Sequence, residues 1–153
     1  PSPRILKEGD IVNIDITSIV NGWLGDQSET FLIGEVSQEA RAVTQCAFDC
    51  LYLGIDAIRP NDPIANIGRA IQQEAYSHGY SVVREYVGHG IGREMHEAPP
   101  VPNFGTPGRG LLLKKGHRDG LLVWNRDNGL TNYVLRPIQF WLELEQYSKT
   151  THG

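Results

Sequence analysis

Residues 11–33 read IVNIDITSIV, then Asn21-Gly22, then WLGDQSETFLI. In the first segment Val12, Ile14, Ile16 and Val20 alternate with Asn13, Asp15 and Thr17, the period of two that marks a strand with one apolar and one polar face. Asn-Gly between two such runs is the strongest short-range signal for a two-residue hairpin turn. A two-residue turn at Asn21-Gly22 sets Thr17 opposite Asp26 and Asp15 opposite Ser28. Asp15 and Asp26 then become diagonal neighbours on one face, their Cα atoms roughly 7–8 Å apart. That face carries Asn13, Asp15, Thr17, Asp26, Ser28 and Thr30. Two ionised carboxylates so close repel each other, and a cation between them turns the repulsion into coordination. Oxygen ligands of this kind suit divalent ions such as Mn, Co, Fe or Zn; the alternative is a solvated polar face of an antiparallel sheet.

Downstream of the hairpin the period changes to that of a helix. Ser37 is placed to cap a helix running to about Ile58, with Val43, Ala47, Cys50, Leu51 and Ile58 at helical spacing. Pro60 ends it. Asp62-Pro63 pairs an N-cap with a first-turn proline, and Ile64, Ile67, Ile71 and Ala75 make the buried stripe of a second helix that Gly79 closes. Cys46 and Cys50 share one helix face and read as reduced core thiols rather than as a metal site. Residues 81–87, SVVREYV, are strand-like and run into Gly88-His89-Gly90-Ile91-Gly92. Residues 97–110, rich in proline and glycine, read as loop. Beyond Lys115 only two further strands suggest themselves, at Leu121–Trp124 and Ile138–Leu144.

His89, between two glycines, has room for the close approach of a ligand, and imidazole is a natural third donor beside two carboxylates. His96 follows in REMHEAPP, suited to binding a substrate or polarising a carbonyl.

The segments GDIVNIDIT, GWLGDQSETFLIG and YSVVREYVGHGIGREMHEAPPVPNFGTPG, in this order and spacing, resemble the bacterial type I methionine aminopeptidases over roughly residues 7–115. The resemblance implies an α+β architecture, the pita-bread fold, in which a curved antiparallel sheet is flanked by helices, here incomplete. It implies one catalytic domain over 1–153, with two divalent metal ions (Co, Mn, Fe, Zn or Ni) per site. Asp15, Asp26 and His89 match metal ligands of that family, His96 matches a histidine that contacts the substrate near the scissile bond, and Thr17 matches a threonine beside the ligands. The implied activity is hydrolytic removal of the initiator methionine from nascent proteins in the cytoplasm, by a monomer that in the family works near the ribosome. Prolidase-like and creatinase-like relatives share the fold, but the GHGIG and MHEAPPVPNFG wording favours the methionine-specific branch.

Three features depart from the family pattern. A further substrate-contacting histidine, in an HGIP-like segment before the hairpin, has no counterpart, and Leu24 stands where histidine is common before Gly25-Asp26. The glutamate of an expected Glu-Pro falls on Leu122, and no Glu-Pro occurs after Lys115. The last family glutamate falls at about Gly153. Glu143 and Glu145 alternate in FWLELEQYS, yet carry no metal role by resemblance. No catalytic residue is therefore assignable, and a peptide- or partner-binding module on the same fold is the competing reading.

Composition agrees with a globular protein: 40% hydrophobic and 21% charged residues among 153. A net charge of -4 argues against nucleic acid as a partner. No apolar run has the roughly 18 residues of a membrane span, and the first residues have no apolar signal-peptide core.

Family-like sequence stops within a few residues of Lys115, the pattern that a shifted reading frame produces. Translating the gene in the other two frames beyond codon 115 should then return an apolar stretch ending in Glu-Pro. If neither frame contains one, the tail is true divergence.

Overall fold

The computed structural model describes residues 3–114, together with the backbone of 121–122, 125–126 and 137–138. Asn21 and Gly22 both adopt positive φ, 51° and 77°, as a two-residue turn matched to the twist of its flanking strands requires. The chain enters this turn as β1 (Ile11–Val20) and leaves it as β2 (Trp23–Leu32). The register pairs Thr17 with Asp26, Asp15 with Ser28 and Asn13 with Thr30, as the turn predicts. The two faces divide by polarity in an unexpected way. On the polar face Asp26, Ser28 and Thr30 are buried, whereas on the apolar face Ile14 and Ile16 are 46% and 54% exposed, with Val20 and Phe31 also exposed.

The core is built instead by two helices. Helix α1 (Gln38–Asp56) begins at Ser37, whose Oγ accepts the Ala40 amide at 3.1 Å, satisfying one of the amides that a helix start leaves without an intrahelical partner. It buries Val43, Cys46, Ala47, Cys50, Leu51 and Ile55. Helix α2 (Ala65–Ser77) lays Ile67, Ile71 and Ala75 against it, with Ile64 just ahead. The C-terminus of α2 is a Schellman motif. Gly79, at φ 77°, donates to Tyr76 O at 3.0 Å and Tyr80 donates to Ala75 O at 2.9 Å, while Tyr80 packs on the core.

The start of α2 differs from the Asp62-Pro63 expectation. Ile64 occupies the capping position with no side-chain hydrogen bond. The backbone of 61–64 is taken up by the segment 111–113: Asn61 donates to Leu113 O at 2.7 Å, Leu113 to Asp62 O at 2.9 Å and Ile64 to Leu111 O at 2.8 Å. The Asp62 carbonyl, which a helix capped there would give to an amide of its own first turns, is taken by Leu113, so the helix begins later. The same contact carries Leu113 into the core beside Leu51, Ile67 and Ile71. Cys46 and Cys50 are free buried thiols, as expected. The hydrogen bond with Cys46, reinforced by burial, pushes the Cys50 thiol far above its ordinary range, consistent with an inert core residue.

Two further expectations are corrected. Of the strand expected over 81–87 only β3 (Ser81–Val82) forms, and a second strand, β4 (Gly88–Gly90), starts after a break. The segment expected to be loop contains β5 (Glu97–Val101), antiparallel to β4 with His89 opposite Pro100 and a register irregularity after His89. Prolines are admitted there because β4 and β5 form a two-stranded sheet, in which each strand has an outer edge. Three two-residue strands complete the description: β6 (Leu121–Leu122), β7 (Asn125–Arg126) and β8 (Pro137–Ile138). The larger sheet has the order β1-β2-β8-β6, and β7 pairs with β3. The strands expected at Leu121–Trp124 and Ile138–Leu144 fall only partly within the described residues, and Glu143 and Glu145 lie outside them.

One close contact ties the helices to the segment after β5. A Cβ on Gly68, in α2, would run into the carbonyls of Pro102 and Phe104, and one on Gly105 would meet the Ala65 carbonyl. Alanine ordinarily stabilises a helix interior over glycine by about 1 kcal/mol. Gly68→Ala is expected to do the opposite and lower the melting temperature measured by circular dichroism; a rise would refute the contact. Leu51→Ala, which empties a fully buried position, is expected to cost about 2–5 kcal/mol in urea unfolding.

Candidate functional site

The polar face of the hairpin is the first component. Asn13 Nδ2 donates to Ser28 Oγ at 3.2 Å and to Thr30 Oγ1 at 3.1 Å, so the hydroxyls of β2 are tied to β1 at one end of the face. Towards the turn the same face carries Asp15, Thr17 and the buried Asp26, with Thr17 and Asp26 as direct partners. The diagonal placement of the two carboxylates is the one that the turn predicts.

The second component is β4. His89 is half-buried, and its Nδ1 lies 2.9 Å from the carbonyl oxygen of Gly90. A carbonyl only accepts, so Nδ1 is the donor, and in the neutral ring Nε2 is left with its lone pair. That tautomer is the one in which a backbone carbonyl orients a metal-binding imidazole. The flanking glycines serve close approach: a Cβ on Gly90 would collide with the carbonyls of Glu97 and Ala98, and one on Gly92 would sit 2.7 Å from the Glu97 carboxylate. The loop from Gly92 to Glu97 is compact, with the Glu94 amide donating to Glu97 Oε1 at 2.9 Å. It returns the exposed His96 to His89, the ring centroids 4.3 Å apart and tilted by 55°.

The two components are bonded to each other. Leu24, at the head of β2, donates its amide to Gly92 O at 2.8 Å. Thr17 Oγ1 lies 3.9 Å from Met95 Sδ, in donor geometry. Residues some 70 positions apart are thus joined at the tip of the hairpin, with Asp26 two residues from one contact and His96 next to the other. Arg93 and Met95 make part of this junction and were not singled out by sequence. Their only signal was position, between the glycine-rich run and His96.

The donor chemistry of Asp15, Asp26 and His89 suits a divalent transition ion: two oxygen ligands and one imidazole. Among the described residues no three His, Cys, Asp or Glu side chains converge to hold a metal ion. Among those residues, too, no helix is long and apolar enough to cross a membrane.

Comparison with known proteins places this arrangement. The sequence pattern of metallopeptidase family M24 matches residues 1–118. A methionine aminopeptidase of Rickettsia prowazekii is 47% identical over 116 residues, 76% of this chain and 45% of that protein. Methionine aminopeptidase B of Synechocystis is 48% identical over 117 residues, 76% of this chain and 43% of that protein. The chain thus spans about half the length of the curated relatives it matches. Among solved structures, the Rickettsia prowazekii enzyme superposes with a TM-score of 0.81 at 42% identity, covering 84% of this chain and 52% of the other. The Thermotoga maritima methionine aminopeptidase gives 0.77 at 36% identity over 80% and 49%. A prolidase from Pyrococcus furiosus, at 21% identity and a TM-score of 0.68, shares the fold alone. The architecture is accordingly an incomplete pita-bread fold, and the chain belongs to metallopeptidase family M24 as a homologue of the methionine aminopeptidases.

Proposed function

We propose that this chain carries the function of those homologues: hydrolytic, metal-dependent removal of the N-terminal methionine from newly made proteins in the cytoplasm. The observation that supports the reading most is the junction at the hairpin tip, which brings the carboxylate-bearing face of β1 and β2 to the loop between His89 and His96. In this reading Asp15, Asp26 and His89 would hold the divalent metal, two ions per site as in the family. A bound divalent ion supplies Lewis-acid polarisation of the scissile carbonyl and lowers the pKa of water. The Nδ1–H bond to Gly90 O orients His89 with Nε2 available. His96, exposed beside it, donates to or accepts from the peptide bond next to the N-terminal residue. Thr17 stands directly opposite Asp26 in the hairpin register. The substrates are N-terminal peptides of nascent chains, met near the ribosome by a monomer.

Aligned without gaps, the family's proton-shuttling glutamate falls on Leu122. That departure, with the absence of a converged three-ligand set among the described residues, favours a second reading: a module that binds an N-terminal peptide on this face without cleaving it.

Methionine release from a short Met-Ala peptide decides between them. The first reading predicts release by the purified chain with Mn or Co, abolished by a chelator and lowered at least about 10-fold in His89→Ala, as for loss of a metal ligand or its orienting partner. No release from a folded chain that still binds the peptide would establish the second.

A further inference from the structure

The loop that carries His96 is held at a further point, by Arg93. Its Nη1 donates to the carbonyl oxygen of Asn21 at 2.9 Å, and its guanidinium carbon lies 4.2 Å from the centroid of the Trp23 ring. Asn21 and Trp23 flank Gly22, and a Cβ on Gly22 would strike Arg93 Nη1. Glycine at the turn therefore serves two ends, the positive φ of 77° and the space for the guanidinium. The planar fork of arginine suits this double contact, since one edge reaches a carbonyl while the face stacks on an indole. Lysine would keep the donor and lose the stack.

We infer that Arg93 is a positioning residue: by clasping the turn between Asn21 and Trp23 it fixes the loop bearing His96 against the hairpin bearing Asp15 and Asp26. The role given to His96 rests on the proposed function, but the clasp itself does not. Two bonds fasten the same loop nearby, Leu24 to Gly92 and Thr17 to Met95. Arg93 lies between them in the chain, and its side chain wraps the turn. Without it the residues after Gly92 keep only the weak contact of a hydroxyl with a thioether to the hairpin, and the loop bearing His96 loosens from the face bearing Asp15 and Asp26.

The test is NMR on the full chain with a methyl-labelled Met95, labelled histidines and no metal added. Met95 Sδ lies 3.9 Å from Thr17 Oγ1, which gives a cross-relaxation peak between the Met95 methyl and the Thr17 side chain. In R93A that peak is expected to fall severalfold while the methyl signals of buried Ile67, Ile71 and Leu113 stay in place, and R93K recovers it in part. W23L, at an exposed side chain, removes the stack and leaves the bond to Asn21 O, and is expected to give an intermediate peak; it also decides the matter if R93A does not fold. A peak at wild-type strength in R93A, or in W23L where R93A is unfolded, overturns the inference, as does a wild type that lacks the peak. Mn(II) added to the same samples separates this result from the metal reading. Broadening of His89 tests the metal site, and a loss of broadening at His96 relative to His89 in R93A reports the positioning that a general loss of stability would not produce. Failure of Mn(II) to broaden His89 sinks the metal site and leaves the clasp judged on the peak alone.

Discussion

The register of one hairpin governs this molecule. Because side chains alternate faces along a strand, a slip of one residue would carry an entire set to the opposite side. The Asn21-Gly22 turn prevents the slip by accepting positive φ at both central residues, and Thr17 falls opposite Asp26 as a result. The two carboxylates then share a face. The same turn offers a carbonyl, a glycine and an indole in a row, and the distant loop of residues 92–96 is fastened to them. The turn therefore sets which chemistry points inward and also where the second half of the site attaches.

The helices hold the other end of that loop. Leu51, Ile67 and Ile71 are packed with Val101 and Leu113, so the segments before and after 102–110 are anchored in the core. Gly68 and Gly105 let the backbone of 102–105 lie directly on α2. β5, which ends at Val101, pairs with β4 and so sets the height of His89. The site is thus suspended between two fixed bodies, a hairpin and a helix pair, and His89 and His96 lie on the strand and loop that connect them.

Much of this was legible in the sequence because it is local. The hairpin register, the Ser37 cap, the Ile64–Ile67–Ile71–Ala75 stripe and the glycine stop at Gly79 each follow from residues within a few positions of one another. What escaped was long-range. The start of α2 moved because the 111–113 backbone takes the carbonyl of Asp62 and the amides of Asn61 and Ile64. β5 was hidden by its prolines, which mark a loop unless one knows that the strand has an edge. The partnership of Arg93 with Trp23 spans 70 positions and has no periodic signature. The apolar alternation of β1 was read correctly, but Ile14 and Ile16 are exposed, so alternation revealed the two faces without revealing which one is buried. The ligand roles proposed for Asp15, Asp26 and His89 rest on resemblance and on donor chemistry.

The chain contains a single methionine, Met95, and its thioether rests against Thr17. A methyl-labelled Met95 therefore reports the register and the docking of the loop in one signal. The account predicts a cross-relaxation peak from the Met95 methyl to the Thr17 side chain and none to Ser18, its neighbour on the opposite face. A peak to Ser18 or Ile16 in place of Thr17 would mean that the hairpin is out of register, and no peak to the hairpin at all would mean that the two halves of the site do not meet.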